Sequence, residues 1–249
     1  MSTGAGVAGE RGVGAGLLIQ ERQRDRWFFT GMASAIVLTI FVGFAPSYYL
    51  KDVFGAPPVS SFLHLHGILF TGWVLLFLTQ AVLIAAGRTG VHRRLGVAGG
   101  LLAVLMSVIG LMAAVGAARR GFTPPGGPPP LMFLAIPFGD IGVFASLVGA
   151  ALYLRRRSET HKRLMLLGTI ALLTPALARM PFIGAGGPLA FFGATDLFVV
   201  ACLVYDRMAH GRVHPAFLWG GLFFIASQPL RLAISGTDPW LSFAEWVTR

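Results

Sequence analysis

Cysteine is almost absent: Cys202 is the single one in 249 residues. That excludes an intrachain disulfide and any metal centre built on several thiolates. Lysine is nearly as scarce, with Lys51 and Lys162 alone. Neither sits in the middle of an apolar run, which excludes a chromophore held there as a lysine Schiff base. Charged residues make up only 12% of the chain, against about 25% in a soluble domain. The sequence contains no HExxH, no Walker loop, no Rossmann glycine pattern and no GxSxG, so the enzyme classes that carry those motifs lose their signal.

What the chain has is hydrophobic length. Hydrophobic residues are 55% of it and the mean hydropathy is +0.72. Apolar runs fall at about 27–47, 62–86, 95–118, 131–154, 164–183, 187–205 and 215–235. Each is close to the ~20 residues that cross the hydrocarbon of a bilayer. Backbone polar groups must be satisfied within a span, and the ten-residue alternation of a barrel is missing, so the runs read as helices. The expected fold is an all-α integral membrane protein of seven transmembrane helices. Pro137, Pro175 and Pro229 lie inside three of them and should kink or loosen a turn.

The formal net charge of +10 would suggest nucleic acid in a soluble protein. Here the basic residues sit in short loops, and topology explains them. Fourteen, including Arg22, Arg24, Arg26, Arg155, Arg156, Arg157, Lys162 and Arg163, fall on one side, and four (Lys51, Arg119, Arg120, Arg249) on the other. The positive side is cytoplasmic, which puts the N-terminus inside and the C-terminus outside. Residues 1–26 read as a disordered cytoplasmic tail, 27–235 as the seven-helix domain, and 236–249 as an outer interfacial segment anchored by Trp240 and Trp246.

Three expected cytoplasmic helix starts look alike: HRRLGVAG from His92, HKRLMLLG from His161 and HPAFLWGG from His214. The recurrence suggests one helix followed by three related hairpins. In two hairpins the outer half also matches, with FGDIGVF (Asp140) before TPALAR (Arg179) and FGATDLF (Asp196) before SQPLR (Arg231). This spacing predicts two ion pairs, Asp140–Arg179 and Asp196–Arg231. By helical rise the acids lie roughly 12–14 Å below the outer boundary and the arginines about 6 Å short of it.

Ionisable side chains inside a bilayer are costly and usually face the bundle interior or a cavity. Asp140, Arg179, Asp196, Arg231, Gln228 and His66 are therefore the candidate lining of an outer-facing polar pocket. The segment HLHGILF adds His64 beside His66 as a candidate metal-ligand pair. Positions i and i+2 differ by about 200° on a helix, so both imidazoles cannot face one centre unless the helix begins after Gly67. Haem would need a second axial ligand from another helix, for which Met112, Met132 and Met180 are candidates. Copper(I) would accept the same donors.

The segments HLHGILFTGWVLLFLTQ, HRRLGVAG, RRRSETHKRLMLL and GRVHPAFLWGG resemble a group of bacterial multi-pass membrane proteins with no assigned activity, over about residues 27–235. The phrase HKRLM is also similar to small membrane proteins of oxidase assembly. The resemblance implies a bacterial inner-membrane location and carries no site residues.

Four functions are open at this level. The leading one is a membrane protein binding a small ligand or cofactor (a quinone, a haem or an anion) in the outer pocket. A non-catalytic subunit or assembly partner, or a homo-oligomer, would use the Asp and Arg residues as structural pairs. A transporter would need a polar path onward to the cytoplasm, for which Gln80, Thr169 and Thr174 are the residues present. An enzyme would need an acid–base pair, and Asp140 with His66 is the candidate.

Overall fold

In the computed structural model the backbone is described for residues 4–124 and 127–249, and side chains from Gln20 onward. Every regular element among them is a helix. The first, α1 (Gly4–Phe44), passes into a π-helical turn at Ala45–Tyr49, where Pro46 removes a backbone donor and the spiral widens. The stretch from Gln20 to Arg26, expected within a polar tail, is helical. Next come α2 (Ser61–Ala85) and α3 (Thr89–Arg119). The fourth apolar run forms α4 (Pro130–Phe133) and α5 (Ala135–Tyr153), with Pro137 in the first turn of α5. Then follow α6 (Ser158–Ile170), α7 (Thr174–Leu177), α8 (Pro181–Gly184), α9 (Gly187–His210), α10 (Pro215–Ser235) and α11 (Asp238–Thr248).

Six segments are long and apolar enough to cross a membrane: Gln20–Tyr49, Ser61–Ala85, Thr89–Arg119, Pro130–Tyr153, Gly187–His210 and Pro215–Ser235. The fifth expected span, 164–183, is not one helix. It is broken into α6, α7 and α8. Pro175 lacks the N–H that would bond the Ala171 carbonyl, and Pro181 lacks the one for Leu177. The broken segment still runs the length of the bundle. Arg163, near its start, pairs with Asp206 near the end of α9, and α8 leads through two residues to the start of α9. It is also enclosed: Leu166, Leu167, Thr169, Ile170, Leu173 and Ala176 are wholly buried. Irregular backbone at membrane depth is tolerated when protein surrounds it.

The outside of the bundle is apolar. Val97, Leu101, Val104 and Val108 form an exposed stripe on α3, the surface a bilayer would cover. The inward face of α3 uses Gly99, Ala103, Met106 and Gly110. Small residues bring helices together elsewhere too: a Cβ on Gly168 would lie 2.7 Å from Val148, and one on Gly220 would lie 2.7 Å from Leu167. These contacts set α5, α6 and α10 at close range. At the end opposite Arg155–Arg157, α11 lies across α3 and α4. Arg119 donates to the carbonyls of Val247 and Thr248, and Trp240 donates to that of Leu131.

Candidate functional site

Asp140 and Arg231 form one buried pair, joining α5 to α10. Arg231 Nη1 donates to Asp140 Oδ1 at 2.5 Å and Nη2 donates to Ser227 Oγ at 2.8 Å. Gly139 makes the geometry feasible, since a Cβ there would lie 2.1 Å from Arg231 Nε. The expected pairs Asp140–Arg179 and Asp196–Arg231 are therefore replaced by a different pairing. The expectation assumed straight helices and partners within each hairpin. Instead α10 packs against α5 and brings Arg231 to Asp140, while Arg179 lies past α7 over the Phe44 ring of α1. Asp140 Oδ2, Thr174 Oγ1 and Arg231 Nε are buried without partners within the protein. An acceptor, a hydroxyl and a donor are thus left without protein partners on α5, at the start of α7 and on α10.

Asp196 meets Gln228 instead of an arginine. Gln228 Nε2 donates to Asp196 Oδ1 at 2.7 Å. The two face a half-open groove of about 180 Å³ between α9 and α10, lined also by Leu189, Phe192, Gly193, Pro229 and Leu232. Gly193 leaves one wall low, and Pro229 sits within α10 as expected without ending the helix. Phe192 separates the groove from the buried pair, since the Arg231 guanidinium lies 5.7 Å from the centre of its ring.

His66 and Arg179 occupy a different flank. His66 is half-buried on the inward face of α2, its ring stacked on Phe70 at 4.1 Å, and its Nδ1 is buried without a partner. Arg179 lies just past α7, donates from Nη1 to the Pro175 carbonyl at 2.8 Å and stands 4.5 Å over the Phe44 ring. His64 is exposed beside Tyr48. The helix begins at Ser61, so the two imidazoles point to different sides. Among the described residues no group of three or more His, Cys, Asp or Glu side chains is placed to hold a metal ion.

The arginine-rich end holds a polar network that the loop charges concealed. Arg163 makes a two-pronged contact with Asp206, Nε to Oδ2 at 2.9 Å and Nη2 to Oδ1 at 2.6 Å, and both side chains are buried. Its Nη1 also reaches Glu159 Oε2 at 2.6 Å. Burial works against the Glu159 charge, but Lys162 and Arg163 overcome it and hold the carboxyl below its ordinary range. Asp25 of α1 accepts from Lys162 at 2.5 Å and from Tyr205 at 2.5 Å, and it contacts His210 at 3.1 Å. In sequence the signal was three acids among basic residues flanking the apolar runs, in RDR, SETHKR and YDRMAH. The repeated histidines divide their work. His161 Nδ1 contacts the Ala151 carbonyl at 2.8 Å, and His214 Nδ1 accepts the Ala216 N–H at 3.0 Å to cap α10.

The candidate residues thus fall into three places: Asp140–Arg231 in the interior, Asp196–Gln228 at the α9–α10 groove, and His66 with Arg179 near α1 and α2. Compared with protein-family models, curated proteins and solved structures, the chain matches none.

Proposed function

We propose that this chain is a multi-pass membrane protein that binds a lipophilic small molecule laterally, with its polar head in the groove between α9 and α10. The observation that carries this reading is a half-buried carboxyl, Asp196, hydrogen-bonded by Gln228 inside an otherwise apolar groove. An acid within an apolar span marks a functional position by default. The groove, about 180 Å³, is smaller than the roughly 300–1,000 Å³ that encloses a whole ligand. It suits a head group whose apolar body stays in lipid. Asp196 and the Gln228 carbonyl favour a head that donates hydrogen bonds. Of the quinone, haem and anion raised by the sequence, the quinone class fits this best, in its reduced quinol form.

The same reading takes the broken segment as a seventh crossing. It places the arginine-rich end in the cytoplasm of a bacterium, by the excess of loop arginines, with the groove in the outer half.

The test is thermal unfolding of the detergent-purified chain with a decyl-tailed benzoquinol. A ligand that binds the folded state raises the melting temperature with concentration. The rise is expected in the wild type and is lost in Asp196→Leu and Gln228→Leu. An equal rise in all three would remove the groove as the site.

A non-catalytic structural role is the second reading. Arg163–Asp206 and Asp140–Arg231 favour it, because each ties distant segments together without an open cavity between the partners.

A further inference from the structure

We infer that the α9–α10 groove selects for positive charge, and binds the primary ammonium head of an amphiphile more tightly than a neutral hydroxyl head. This preference rests on the groove being the ligand site and names the class of head it takes. Asp196 is half-buried and takes part in no ion pair among the described residues. The residues that line the groove with it, Leu189, Phe192, Gly193, Gln228, Pro229 and Leu232, are all uncharged. The Arg231 guanidinium lies against Phe192, and Asp140 already neutralises it. Other acids of the bundle are matched, Asp206 by Arg163 and Asp25 by Lys162. Asp196 departs from that pattern, and it does so where a cavity opens beside it.

The hydrogen bonding is one-sided as well. A carboxylate only accepts, so the Gln228 amide turns its Nε2 toward Asp196 Oδ1, at 2.7 Å. Gln228 is 5% exposed, and its packing holds that orientation. Its Oε1 accepts from no donor among the described residues, and it is not sealed in as Asp140 Oδ2 is. The groove thus presents two oxygen acceptors, Asp196 Oδ2 and Gln228 Oε1, and one negative charge when Asp196 is ionised. A primary ammonium carries three donors, no acceptor and a positive charge, so it answers both needs. A quinol hydroxyl brings one donor and leaves the charge unpaired. An unpaired charge in apolar surroundings is costly, and a hydrogen bond between charged partners is about twice as strong as a neutral one. Leu189 and Leu232 are exposed at the groove and offer an alkyl chain an apolar surface. The ammonium belongs to either an aminophospholipid or a free alkylamine.

The experiment follows thermal unfolding of the full chain in neutral detergent with decylamine, decanol and a decyl-tailed benzoquinol. It is run at about pH 7, where an alkylamine is protonated. Wild type is expected to bind decylamine about tenfold more tightly than decanol, the difference between a hydrogen bond to a charged group and a neutral one. Asp196→Asn keeps the shape and removes the charge, and is expected to bind the two equally. Asp238→Asn, on the exposed start of α11, is expected to keep the preference. Equal affinity of wild type for decylamine and decanol overturns the charge selectivity, even if Asp196→Asn fails to fold. A preference that survives Asp196→Asn overturns it too. A quinol response without an amine preference removes the selectivity and leaves the groove as a site; no response to any of the three removes both. Native mass spectrometry with phosphatidylethanolamine against phosphatidylcholine separates the sources. Retention of phosphatidylethanolamine that Asp196→Asn abolishes assigns a lipid headgroup, and an amine preference without it assigns a free amine.

Discussion

Arg231 illustrates how one side chain is held in an apolar interior. Asp140 neutralises it, Ser227 takes a second donor, and Gly139 leaves room for its stem. Removing one member of a buried pair strands the other charge, which costs about 3–5 kcal/mol. Arg231→Gln should lose stability on that scale in thermal unfolding, and adding Asp140→Asn should recover most of it. Arg179→Gln should gain nothing from Asp140→Asn, because the two side chains are not paired. Rescue of Arg179→Gln by Asp140→Asn would restore the pairing expected from spacing alone. That spacing assigned partners by neighbourhood in sequence. Partners in a helical bundle follow neighbourhood in space, and a break such as that before Pro175 changes which face an arginine presents.

At the scale of elements, termini carry the chemistry. His214 opens α10 by accepting the Ala216 N–H, and Asp206 accepts the His214 N–H at 2.9 Å. Burial and then the Arg163 charge hold the His214 imidazole below its ordinary value of 6.5. The folded chain therefore binds fewer protons there than the unfolded chain. The stability tied to this group is fully present above that ordinary value and is lost as pH falls through the lowered folded value. His214→Ser keeps a capping oxygen without a titrating group. Its melting temperature should fall less than that of wild type between about pH 7 and about pH 5, the range where histidine titrates. Identical pH profiles would show that the cap does not titrate with folding. Helix positions were legible in sequence because an apolar run of membrane length has few other solutions. The two breaks in the fifth run were only half legible. Pro175 marked a kink, while full interruption followed from Pro175 and Pro181 acting within a segment wrapped by protein. The network of Asp25, Glu159 and Asp206 was illegible because the basic residues beside them already had an explanation as topology signals.

For the whole molecule, one arginine-rich end and one opposite end follow from the helix order. The proposed orientation predicts that a C-terminal tag is digested by protease added to intact spheroplasts and an N-terminal tag is protected. The reverse pattern, or both tags on one side, would contradict seven crossings in that orientation. The surface then offered to lipid is largely apolar, and at the α9–α10 groove it carries the half-buried Asp196 carboxyl. The measurement that tests this account most directly is solvent extraction of the detergent-purified chain, with mass spectrometry of what is released. Wild type is predicted to release one amphiphile with a hydrogen-bond-donating head in near-stoichiometric amount. The same molecule is predicted to be retained in Arg179→Gln and missing from Asp196→Leu. Identical extracts from wild type and Asp196→Leu, each holding only bulk lipid, would contradict ligand binding at the groove.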